Sequence, residues 1–184
     1  LYVSGLGCGE YYINGQKISE DMIDPPMTNY NREVLYRIYD VSRFLPAGGG
    51  RCALAALLGE GWYAQSRVWA VGGFRYGDPC LCAQLEIVYE DGQTQTVATG
   101  TEGWFSKCSP IVLNNLYGGE TYDARLETPD FADPDGEEDG WSPVEADPVP
   151  KGALKLCLMP PVRVIRTLPA QSVRQVSGKE DGAW

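Results

Sequence analysis

Two dipeptides constrain this chain more than anything else in it. Asp91-Gly92 stands between residues 81–89 and 93–99, and Asn14-Gly15 ends the loosely alternating run 1–13. Asn14-Gly15 accepts the positive φ angles of a two-residue hairpin turn, Glu90-Asp91-Gly92 holds an Asp-Gly turn, and the flanks are rich in β-branched and aromatic residues. Hairpins are therefore expected at both places. The remainder is cut into short pieces by 22 glycines and 13 prolines and carries 11 tyrosines and 5 tryptophans. No amphipathic helical repeat of useful length runs through it. The expected fold is all-β: an antiparallel β-sandwich of jelly-roll or galactose-binding-domain-like type.

Further strands are expected at residues 34–41, 51–58, 103–105, 121–126 and 162–168, with a short helical turn at 42–45 before Gly48-Gly49-Gly50. Residues 51–58 could suit a helix by composition, but eight residues bracketed by glycines favour a buried strand. Residues 130–147 hold eight Asp or Glu interleaved with Pro and Gly around Trp141, which predicts an exposed excursion. The domain is placed at 1–147. Residues 148–184 are read as an exit strand and the start of a connection to a following domain.

With 15 Lys and Arg against 25 Asp and Glu, the formal net charge is −10. Such a surface repels phosphate backbones and anionic lipid heads, so neither nucleic acid nor membrane is an expected partner. No stretch approaches the length of a bilayer span. The chain opens within a strand-like run and lacks an initiator Met, so it reads as a fragment; a cytoplasmic location is favoured over a secreted one. The six cysteines are expected to be free thiols, because a chain of this length folds without staples.

Histidine is absent. That removes Ser-His-Asp and Cys-His catalysis, and with Cys80 and Cys82 lacking a second pair it argues against zinc. Glu86 and Glu90 share a strand face but do not oppose one another across a substrate, as the carboxyls of a glycosidase must. Asp133-Pro134-Asp135-Gly136 begins like a calcium loop, yet Val144 stands where the bidentate Glu belongs. The fragment is not expected to be an enzyme by itself.

Several segments resemble, in order, the N-terminal domain of bacterial α-L-rhamnosidases. These are Leu1-Tyr2-Val3-Ser4-Gly5-Leu6-Gly7, Tyr12-Ile13-Asn14-Gly15, Thr28-Asn29-Tyr30, Tyr36-Arg37-Ile38-Tyr39-Asp40-Val41 and Gly59-Glu60-Gly61-Trp62-Tyr63. The most specific is Tyr117-Gly118-Gly119-Glu120-Thr121-Tyr122-Asp123-Ala124-Arg125, followed by Gly140-Trp141-Ser142-Pro143-Val144 and Pro160-Pro161-Val162-Arg163-Val164. The resemblance implies a parent hydrolase that releases terminal L-rhamnose with inversion, its two acids lying on a downstream helical barrel. No catalytic residue is carried over to this chain.

Two roles follow from the resemblance. One is an accessory domain that packs on the downstream domains of the same polypeptide and needs no cofactor. The other is a carbohydrate-binding module for L-rhamnose or L-rhamnose-bearing glycans, with calcium as its candidate cofactor. Sugar modules stack an aromatic ring on the pyranose and surround it with amides and carboxylates. Trp62, Tyr63, Trp104, Asn114, Asn115, Glu120 and Asp123 have that chemistry, and Asn29 and Asn31 are the candidate cation ligands, Asn29 standing where the family usually has an acid. For each the alternative is a structural role, and Asp123 with Arg125 would form an ion pair.

Overall fold

A computed structural model describes residues 1–65, 74–100, 102–136, 139–146 and 150–173. The opening run divides into β1 (Tyr2–Leu6) and β2 (Cys8–Ile13). Gly7 separates them at φ 111, and a Cβ there would sit 2.1 Å from the carbonyl oxygen of Gly59. Only glycine lets the chain cross from one sheet to the other at this point. At the Asn14-Gly15 turn both residues have positive φ, 50 and 75, and β3 (Gln16–Lys17) returns along β2.

Then follow β4 (Glu33–Ile38), a 3-10 turn at Ser42–Phe44, β5 (Leu54–Gly59), β6 (Ala64–Gln65) and β7 (Phe74–Arg75). The Asp91-Gly92 hairpin joins β8 (Cys80–Val88) to β9 (Thr94–Ala98). Five shorter strands complete the set: β10 (Phe105–Ser106), β11 (Ile111–Asn115), β12 (Gly119–Tyr122), β13 (Ser142–Pro143) and β14 (Ala153–Leu156).

A five-stranded sheet in the order β14-β4-β1-β8-β9 faces a three-stranded sheet, β3-β2-β5. Between them Leu1, Val3, Ala83 and Leu85 from the larger sheet meet Tyr11 and Ile13 from the smaller, and Ile18 and Val41 close the ends. Along β8 the alternation is visible, with Ala83 and Leu85 buried and Cys82, Gln84 and Glu86 exposed. Burying each large aliphatic contributes roughly 1.5–3 kcal/mol, which fixes the register, since a one-residue slip would turn that face to water. A second cluster joins Leu6, Tyr30, Val34, Tyr63 and Ala64. The fold is an antiparallel β-sandwich.

Some details depart from expectation. β14 runs parallel to β4, making one edge of the larger sheet mixed. Residues 162–168 form no strand; Val162 makes a single bridge to Met22. The strand expected at 121–126 stops at Tyr122, because the Asp123 carboxylate accepts the Arg125 N–H at 3.1 Å and winds Ala124–Leu126 into a 3-10 turn. The acidic excursion is anchored at its start: Phe131 packs edge-on against Tyr12 at 5.0 Å, and the buried Ala132 accepts the Gly15 N–H at 2.8 Å. Glu137, Glu138, Asp147 and the boundary at 147/148 lie outside the described residues. All six cysteines are thiols.

Candidate functional site

A cavity of about 280 Å³ lies beside the β11–β12 hairpin, lined by Cys8, Ile23, Asn114, Asn115, Leu116, Gly119 and Glu120. Pairing in that hairpin sets Asn114 opposite Glu120 and Asn115 opposite Gly119. The tight turn between them is built by Asn115. Its Oδ1 accepts the N–H of Tyr117 at 3.0 Å and of Gly118 at 2.7 Å, while its Nδ2 donates to Glu60 at 3.3 Å. Gly119 closes the turn at φ 81. The hairpin then seats against β5 at Gly59, where a Cβ would come within 2.8 Å of Asn114 Oδ1.

The facing wall comes from the start of β2 and the loop before β4. Burial pushes the Cys8 thiol upward in pKa, so it stays protonated at neutral pH. Ile23 adopts φ 51, a conformation that β-branched residues avoid. Among the described lining residues Glu120 is the only carboxylate, and it is exposed. Asn114 and Glu120 have the side-chain groups to exchange hydrogen bonds with a neutral hydroxylated ligand beside apolar wall residues, whereas the buried Asn115 amide is already engaged by Tyr117, Gly118 and Glu60. The facing pair of carboxyls that glycoside hydrolysis requires is not assembled by these residues.

The structure thus gathers Asn114, Asn115 and Glu120. Trp62 makes an edge contact with Tyr117, centroids 6.2 Å apart, next to Leu116 in the cavity wall. Tyr63 is 2% exposed, edge-on to Tyr30 and stacked at 5.9 Å on Tyr76, so its ring is core material and offers no platform. Trp104 donates its indole N–H to Ala98 at 3.0 Å, on the edge strand β9, and is not among the lining residues. Asp123 pairs with Arg125 at 2.5 Å and caps the 3-10 turn, as its spacing from Arg125 suggested.

Asn29 and Asn31 are both exposed in the turn before β4. The Asn29 side chain accepts the Asn31 N–H at 3.2 Å, and nearby Glu33 is held by Lys155 at 2.7 Å. That leaves the turn short of the carboxylate oxygens a calcium ion takes. Cys8, Ile23, Leu116 and Gly119 carry no sequence signal as a set, because they come together only when β2 and the 21–24 loop meet the hairpin.

Two packed sheets with a cavity beside an amide-bearing hairpin define a β-sandwich domain. Residues 1–166 match the family model described as the α-L-rhamnosidase N-terminal domain. The chain is 37% identical over 95% of its length to an α-L-rhamnosidase of Streptomyces avermitilis, and 31% identical over its whole length to one of Formosa agariphila. It spans only 17% and 19% of those two proteins. The crystal structure of the Streptomyces avermitilis enzyme complexed with L-rhamnose superposes with a TM-score of 0.83, at 38% identity, over 92% of this chain and 16% of that one. The α-L-rhamnosidase of Dictyoglumus thermophilum gives 0.80 at 34% identity, over 90% of this chain and 18% of that one. The chain belongs to the α-L-rhamnosidase N-terminal domain family.

Proposed function

We propose that this domain packs on and supports the catalytic region of an α-L-rhamnosidase, an inverting hydrolase of terminal L-rhamnose whose acids lie elsewhere in the polypeptide. The observation that carries this reading is the apolar surface along residues 156–168. Leu158, Val162, Val164, Ile165 and Leu168 are all exposed, Ile165 to 98%. Apolar side chains left in water at this density mark a surface that another body covers. Downstream domains of the same polypeptide are the partner.

Leu158→Asp and Ile165→Asp, made in the full-length enzyme, should loosen the domain from the rest and lower the whole protein's melting temperature. The same changes in the 184-residue chain alone should leave its melting unchanged. Equal melting of the full-length variants and wild type would remove this surface from the interface.

A second reading, a carbohydrate-binding module for L-rhamnose, is favoured by the cavity itself. Asn114, Asn115 and Glu120 converge there with an aromatic pair nearby. Isothermal titration with L-rhamnose, with and without calcium, separates the two readings. Saturable heat that Glu120→Ala abolishes would assign the cavity to sugar, and no heat in either buffer would leave the packing role alone.

A further inference from the structure

The segment that leaves the sandwich is fastened to the loop that forms one cavity wall. Arg163 donates to the buried carboxylate of Asp21 at 2.9 Å. One residue on, the Met22 N–H reaches the Val162 carbonyl at 2.9 Å. Asp24 holds Arg37 in a fork, and the free arm of that guanidinium donates to the carbonyls of Met159 at 2.7 Å and Cys157 at 3.3 Å. The Asp24 carbonyl in turn accepts the Gly9 N–H at 2.9 Å. Residues 21, 22 and 24 are thus each tied down: two of the ties run directly to residues 162 and 163, and a third reaches residues 157 and 159 through Arg37.

Ile23 sits between these ties at φ 51 and lines the cavity. A β-branched residue does not settle in the left-handed region unless its neighbours impose it. We infer that the docked segment 157–163 holds the 21–24 loop in the shape that closes the cavity wall, so that cavity and exit segment are linked through Ile23. Release of the segment frees Ile23 to return to an extended conformation, and the wall opens beside Cys8. Anything that fills the cavity correspondingly favours the docked segment, since such coupling is reciprocal. The linkage needs no ligand and stands whether or not the cavity takes a sugar.

Cys8 gives a direct readout. The full chain is alkylated with iodoacetamide under native conditions, and the rate at each cysteine is followed by peptide mass spectrometry. Arg163→Ala, at a side chain 60% exposed, should accelerate Cys8 at least about threefold. Arg163→Lys, which keeps a charge for Asp21, should return most of the protection. Cys80, packed against the second core cluster, should react at its wild-type rate in both variants. An unchanged Cys8 rate in Arg163→Ala overturns the linkage, and so does a Cys8 acceleration that Cys80 shares, since that reports general loosening.

Discussion

Arg37 and Asp24 form a forked ion pair in which Nη2 lies 2.6 Å from one carboxylate oxygen and Nε lies 3.1 and 3.0 Å from the two oxygens. Their side chains are only 12% and 5% exposed. The hydrogen bonds that the guanidinium donates to the Asp24 carboxylate hold its pKa above the ordinary value. Arg37→Ala leaves a buried carboxylate and two carbonyls without their donor, and should cost about 3–5 kcal/mol in urea unfolding. Arg37→Lys should recover only part of that, because an ammonium cannot fork. A loss under about 1 kcal/mol for Arg37→Ala would mean that water replaces the guanidinium at no cost.

Gly7 and Gly15 both have positive φ, 111 and 75, but their surroundings differ. A Cβ at Gly7 meets the Gly59 carbonyl oxygen, whereas nothing lies within 4 Å of one at Gly15. Gly15→Ala should therefore cost only about 1–2 kcal/mol, the conformational term alone. Gly7→Ala adds a backbone clash and should cost clearly more or abolish folding. Thermal melting of the two variants compares them directly, and equal losses would show that the sheets part easily at the crossing.

The hairpins were legible because Asn-Gly and Asp-Gly encode their turns locally, and β8 was legible because its apolar residues alternate. The break at Gly7 was not. Its glycine requirement comes from Gly59, fifty-two residues on, and a run such as Leu1-Tyr2-Val3-Ser4-Gly5-Leu6-Gly7 contains glycines that differ only in their tertiary surroundings. Residues 162–168 have strand composition but no strand partner, so composition overstated them. Of the candidate residues, Asn114, Asn115 and Glu120 lie together at the cavity, whereas Tyr63 lies in the core, and aromatic chemistry in a sequence does not report that burial. Ile23 gave no signal at all, since nothing local asks an isoleucine for φ 51.

The Asp21–Arg163 pair should make stability depend on acid. Burial opposes charge on Asp21, yet hydrogen bonds involving Arg163, Ser19 and Tyr39 outweigh it and hold the carboxyl below its ordinary pKa. A folded pKa below the unfolded one gives stabilisation that is complete above the ordinary carboxylate value, about 4, and is lost as pH falls through the lower folded value. Urea midpoints taken from about pH 5 to pH 2 should fall more steeply for wild type than for Asp21→Asn. Parallel curves would assign the acid sensitivity to other carboxylates.

Asn115 is the residue on which the cavity hairpin turns, and two substitutions separate its parts. Asn115→Ala removes both the acceptor for Tyr117 and Gly118 and the donor to Glu60, at a buried position, and should cost about 1–3 kcal/mol at any pH. Asn115→Asp keeps the acceptor and replaces the donor by a carboxylate facing the Glu60 oxygen across about the same gap. Burial and the neighbouring charge raise the pKa of such a carboxyl above its unfolded value, so its cost is greatest at neutral pH and shrinks in acid as one of the pair takes a proton. The urea midpoint of Asn115→Asp relative to wild type should accordingly recover between about pH 7 and pH 4, while that of Asn115→Ala stays depressed. If both remain equally depressed, the turn depends on the amide's shape, and the Glu60 contact contributes nothing to holding the hairpin that carries Asn114 and Glu120 on one wall of the cavity.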